Sequence, residues 1–165
     1  MNDLYFEDFT PGRSFRTPGA TLSEAQILDF AFTYDPQPFH MDAVAAQEWG
    51  YEGLIASGLQ TLCVAFRLFL QSRIINACSL GSPGMDELRW HLPVRPKDTI
   101  HVVATVEQQR QSRSKPDRGL VHMRYEVFNQ KGERVMSWIA MQIMAKRLSE
   151  ERLSEEHQSD KPAGV

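Results

Sequence analysis

Residues 58–74 form one helical stretch that is apolar on more than one side. Leu59, Leu62, Cys63, Val64, Ala65, Phe66, Leu68, Phe69 and Leu70 cover most of a helical circumference, and only Arg67, Gln71 and Arg73 suit water. A helix of this kind is buried on most of its sides, so a larger element has to enclose it. That element comes downstream, where the hydrophobic period changes to two. Residues 88–94 read as a strand ending at prolines, and Ile100, Val102, Ala104 and Val106 alternate with Thr99, His101 and Thr105. Residues 120–128 and 135–144 give two further strands, joined by the turn Asn129-Gln130-Lys131-Gly132. The order predicts an α+β domain in which an antiparallel sheet wraps one central helix.

Upstream, Phe6, Phe9 and Phe15 lie in an extended segment with a turn at Pro11-Gly12. Thr21 or Ser23 caps a helix carrying Ala25, Ile27, Leu28, Phe30, Ala31 and Phe32, which must stop at Asp35 because Pro36 disfavours helical geometry before it. A short helix over 42–49 ends at Gly50, and 53–58 is a loop into the long helix. A length of 165 residues suits one domain, read here as 1–147. Residues 148–165 hold a near-repeat, Leu148-Ser149-Glu150-Glu151-Arg152 and Leu153-Ser154-Glu155-Glu156-His157, with almost no apolar surface. They are expected to be a charged, flexible tail without chemistry.

A net charge of -3 and a pI near 5.9 give no electrostatic reason to expect nucleic acid as partner. Residues 59–70, the longest apolar stretch, are broken by Gln60, Thr61 and Arg67 and are too short to span a bilayer. The N-terminus lacks the basic and apolar regions of a secretory signal. Cys63 and Cys78 form no C-x-x-C pair and are expected to be buried thiols in a reducing compartment. Together these features point to a cytoplasmic protein.

The segment with the most chemistry is Tyr34-Asp35-Pro36-Gln37-Pro38-Phe39-His40-Met41-Asp42. It sets a carboxylate and an imidazole across a stretch with two prolines, each restricting its own φ and the residue before it. A carboxylate and an imidazole that converge on one water are suited to activating it and delivering a proton. The residues alone leave a second reading open, in which Asp35 ends a helix, the prolines terminate it and His40 is an ordinary loop residue. His91, His101 and His122 have no metal-like spacing, so no metal is expected. Asp42 is read as the cap of the next helix, and Phe66, Phe69, Trp90 and Trp138 as core or interface.

The segment resembles the MaoC-like dehydratases and (R)-specific enoyl-CoA hydratases, whose signature runs aspartate, two residues, proline, one residue, histidine. Asp35-Pro36-Gln37-Pro38-Phe39-His40 matches it without gaps. The resemblance extends through Ile55-Ala56-Ser57-Gly58-Leu59 and the segment from Asp86 to Ile100, and covers roughly residues 5–146. It implies a hot-dog fold, Asp35 and His40 as acid and base, and an acyl-CoA substrate with no cofactor besides the coenzyme A it carries. A homodimer or higher homo-oligomer is implied as well, since one such sheet leaves an edge strand. Phe66, Phe69 and Trp138 are then interface candidates.

Gln37 and Ser57 depart from the family, which often has asparagine and histidine there, and both are substrate-binding candidates. Gly58 opens the long helix, where unsatisfied N–H groups carry the positive end of the helix dipole. It is the expected donor to the thioester carbonyl, its missing side chain allowing close approach; the other reading is chain geometry. Arg110, Arg113, Lys115 and Arg118 crowd a hairpin, and Arg113 is carried as a contact to coenzyme A phosphates beside the alternative of a solvated loop. Thioester hydrolysis and non-catalytic acyl-CoA binding are the competing functions. No Asp or Glu lies between Gly58 and Ile74 to serve a hydrolase of this fold.

Overall fold

The computed structural model describes residues 3–147; the expected tail lies outside the described residues. A 3-10 turn at Phe6–Asp8 leads to strands β1 (Ser14–Arg16) and β2 (Ala20–Thr21). Helices α1 (Glu24–Tyr34), α2 (Pro38–Met41), α3 (Ala43–Glu48) and α4 (Gly58–Gln71) follow. The chain then runs through β3 (Met85–Trp90), β4 (Thr99–Gln111), β5 (Arg118–Phe128) and β6 (Arg134–Ala145). The strand order is β1-β4-β5-β6-β3, with β2 added to β4 and every pairing antiparallel.

The period-two patterns produce this sheet. Ile100, Val102, Ala104 and Val106 on β4 and Val121, Met123, Tyr125 and Val127 on β5 are buried, while the residues between them are only partly covered. Their shared inner face packs on α4. At its centre the Tyr125 ring stacks on Trp138, centroids 4.6 Å apart and planes 1° from parallel, while Phe69 meets Tyr125 edge-on at 5.0 Å. Trp138 and Phe69 are therefore core residues, which corrects the expectation that they form an interface.

Two further expectations change. Helix α4 buries Gln60, Thr61, Ala65, Leu68 and Phe69 but leaves Cys63 exposed, so Cys63 is not the buried thiol expected. Within one chain only one side of the helix meets the sheet, and Leu59, Cys63 and Arg67, four residues apart, form its open stripe. Cys78 is buried as expected, and desolvation pushes its thiol up to about 11. Strand β3 begins at Met85 rather than near 88 and ends at Trp90; its pairing with β6 slips between Asp86 and Arg89. Glu87 sits at that slip with φ 52°, and the extra residue breaks the alternation by which the strand would be read. Among the described residues no helix is long and apolar enough to cross a membrane.

Candidate active site

Local rules place the first site residue. Ser23 caps α1 with a reciprocal pair of hydrogen bonds to Gln26, and the helix ends at Asp35, whose N–H donates to the Ala31 carbonyl at 3.0 Å. Pro36 stops propagation there. The Gln37 N–H donates back to the Asp35 carbonyl at 2.8 Å, and Pro38 then opens α2 at a position where a missing N–H costs nothing. His40 thus sits in a helical turn rather than in an extended loop. That turn drives its ring inward, leaving the residue 5% exposed. Asp42 caps α3 as expected, accepting from the N–H groups of Val44 and Ala45.

The imidazole is held in a defined tautomer. His40 Nδ1 lies 2.8 Å from the Ile55 carbonyl oxygen, which only accepts, so Nδ1 carries a proton and, in the neutral ring, Nε2 holds the lone pair. Ile55 is tied to α2 again by its own N–H, which donates to the Phe39 carbonyl at 3.4 Å. Nε2 faces Asp35 Oδ2 at 3.5 Å. The same Oδ2 accepts from the Ser57 hydroxyl at 2.6 Å, and Oδ1 accepts from Gln37 Nε2 at 2.7 Å. The Ser57 hydrogen bond is the main reason the Asp35 carboxyl titrates below its ordinary range. Partial burial opposes it, and Gln37 and the His40 charge assist. The site therefore combines an ionised carboxylate, held by one donor on each oxygen, and an adjacent ring nitrogen that accepts when the imidazole is neutral.

Both groups open onto a cavity of about 630 Å³, whose wall includes Tyr51, Gly58, Leu59, Trp90 and Val94. Gln37 lines it; Ser57 is fully buried and is spent on Asp35 and on the Leu59 N–H. Gly58 is on the wall, and the space left by its missing side chain is taken by the Trp90 indole, with which an added Cβ would collide. Arg113 is not brought to this cavity. Val94 lines the wall five residues before β4 starts, whereas Arg113 is exposed two residues beyond its end. The 13 residues of β4 extend about 40 Å at roughly 3.3 Å per residue. Trp90, Tyr51 and Val94 were missed as site residues because nothing in their sequence neighbourhood marks which face they present. Trp90 alone offered a signal, as a large aromatic in an edge strand.

Several known proteins are similar to this chain in sequence or fold. The sequence matches the family described as MaoC like domain over residues 7–127. It is 36% identical over 106 residues to Protein MaoC of Klebsiella aerogenes, covering 64% of this chain and 31% of that protein. The MaoC-like dehydratase from Rhodospirillum rubrum superposes with a TM-score of 0.83 at 35% identity, covering 88% of this chain and 99% of that one. A Mycobacterium tuberculosis protein with a double hotdog fold superposes with a TM-score of 0.75 at 21% identity, covering 98% of this chain and 47% of that one, and shows the fold alone. The sheet wrapped on α4 is a hot-dog fold, and the chain belongs to the MaoC-like domain family.

Proposed function

We propose that this chain is a hydratase/dehydratase of acyl-CoA thioesters, adding water to a trans-2-enoyl-CoA to give the (R)-3-hydroxyacyl-CoA, or running the reverse. The observation that carries the proposal is the 3.5 Å approach of His40 Nε2 to Asp35 Oδ2, with Nδ1 tied to Ile55. A water between them can donate one proton to Nε2 and one to the carboxylate. His40 takes the proton, the water oxygen bonds to the β-carbon, and the displaced electron pair moves to the thioester carbonyl oxygen. The imidazolium then returns the proton to the α-carbon on the same face. Asp35 stays ionised throughout and stabilises the imidazolium. The Gly58 N–H, at the start of α4, is the donor to the carbonyl oxygen. Kinship with a MaoC-like dehydratase at 35% identity supports the reaction class. The reaction needs no cofactor beyond the coenzyme A of the substrate.

The proposed working unit is a homodimer or higher homo-oligomer. Among the described residues strand β3 pairs only with β6, at the edge of the sheet, and Trp90 at its end and Leu59 on α4 are 51% and 48% exposed. A monomeric mass in solution contradicts this.

A panel of short and long trans-2-enoyl-CoA substrates tests the function. Loss of enoyl absorbance without release of free thiol, followed by chiral analysis giving the (R)-alcohol, supports it. Thiol release in step with substrate loss identifies a thioesterase, and tight binding without turnover identifies a binding protein.

A further inference from the structure

The wall of the cavity that holds Asp35 and His40 has an unassigned polar group. Trp90 packs directly on Gly58: a Cβ built on the glycine overlaps indole Nε1 and comes within 2.5 Å of Cε2. The glycine is thus required by the indole, whose Nε1 lies over the first residue of α4. Among the described residues no acceptor takes the indole N–H, and none takes the backbone N–H of Gly58, although Leu59 and Thr61 beside it donate to Ser57. Both residues border the cavity that holds Asp35 and His40.

Two unpaired donors from different elements, side by side in one wall, make a site for a single acceptor oxygen. The backbone after Trp90 is fixed: the N–H groups of His91 and Leu92 donate to the Val135 carbonyl at 2.8 and 3.3 Å. The His91 ring is anchored through Nε2 to the Ser137 hydroxyl at 2.8 Å. Donors held in this way need no reorganisation when charge develops on the oxygen they face, which is where such groups contribute most to rate.

We infer that the Trp90 indole N–H is a catalytic donor that binds the thioester carbonyl oxygen together with the Gly58 N–H. This rests on the hydratase reading and deepens it. As water adds at the β-carbon, the electron pair arriving on the carbonyl oxygen is shared between the two donors. It returns as the α-carbon takes its proton, and neither donor gives up a hydrogen. Trp90 then also limits the acyl thioester to one approach, with its carbonyl in the angle between the indole and the helix start.

The test compares wild type with Trp90→Phe, which keeps the ring packing and removes the N–H, using butyryl-CoA labelled with carbon-13 at the carbonyl. In wild type the infrared band of the bound carbonyl is expected at lower frequency than in free butyryl-CoA. In the Phe variant it moves part of the way back, and kcat for an enoyl-CoA falls roughly ten- to a hundredfold with KM little changed. Trp90→His keeps a ring N–H and is expected to retain most of the band shift. Identical bands in wild type and the Phe variant overturn the inference, whatever happens to turnover, as does a His band that coincides with that of Phe. Wild type that shifts the butyryl band but turns over no enoyl-CoA defeats the hydratase reading and leaves the Trp90 contact standing.

Discussion

The two ends of the long strands differ in how their polar groups find partners. At the cavity end the partners come from distant segments: Asp35 closes α1, His40 lies in α2, Ser57 precedes α4 and Trp90 ends β3. Ser57 and Asp35 are 22 positions apart, and His40 and Ile55 are 15 apart. At the hairpin between β4 and β5 the partners are local. The Lys115 N–H bonds the Ser112 hydroxyl, Arg118 pairs with the adjacent Asp117 at 2.7 Å, and Arg113 and Lys115 project into solvent. The hairpin has the greater charge density, yet only the cavity end has desolvated groups held in fixed geometry. Exposed charges with neighbouring partners contribute little to stability or recognition.

Four substitutions put that contrast to the test. His40→Ala has the largest expected effect, a loss of roughly two or more decades in turnover, read by enoyl absorbance in a variant whose circular dichroism matches wild type. Gly58→Ala is next. Its methyl group displaces the Trp90 indole while leaving the backbone N–H in place, so a loss of about tenfold is expected, below that of removing a donor outright. Unchanged kinetics there would mean that the indole tolerates movement and that the wall is not preorganised.

Ser57→Ala tests the electrostatics more than the rate. Removing the hydrogen bond that most depresses the Asp35 carboxyl raises its titration point, so the acid limb of the pH–rate profile should move to higher pH. A carboxyl held below its unfolded value contributes stability at pH above that unfolded value, and the contribution is lost as pH falls through the folded value. Acid unfolding of the Ala variant should therefore begin at higher pH than in wild type, with a rate loss of less than about tenfold at neutral pH. Arg113→Ala is expected to leave turnover within about twofold and the salt dependence of binding unchanged, because solvent screens an exposed charge at this distance. A fall in affinity with a shallower salt slope would show that the hairpin reaches the substrate, and the contrast between the two ends would fail.

Much of this was legible in the sequence because local rules act there. Period-two alternation placed β5 and β6 to within two residues and the start of β4, which runs on to Gln111, past the expected end at Val106, and a proline after Asp35 marked the end of α1. The closeness of Asp35 and His40 was legible for the same reason, since the two prolines between them restrict the chain whatever surrounds it. What stayed hidden depends on packing across the fold. The exposure of Cys63 follows from the sheet covering only one side of α4, and apolar composition does not encode which side. The burial of Trp138 comes from its stack on Tyr125, 13 positions earlier on the neighbouring strand. Trp90 meets Gly58 only once β3 and the start of α4 are brought together, and Ser57 meets Asp35 only once α1 and α4 are packed.

The central claim is that Asp35 and His40 together activate one water molecule. It is tested most directly by the steady-state hydration rate of Asp35→Asn, which keeps the size of the side chain and its place beside Ser57 and Gln37 while removing the charge. A folded variant slowed by roughly two decades or more is the result expected. Turnover close to that of wild type, with its pH profile intact, would contradict it.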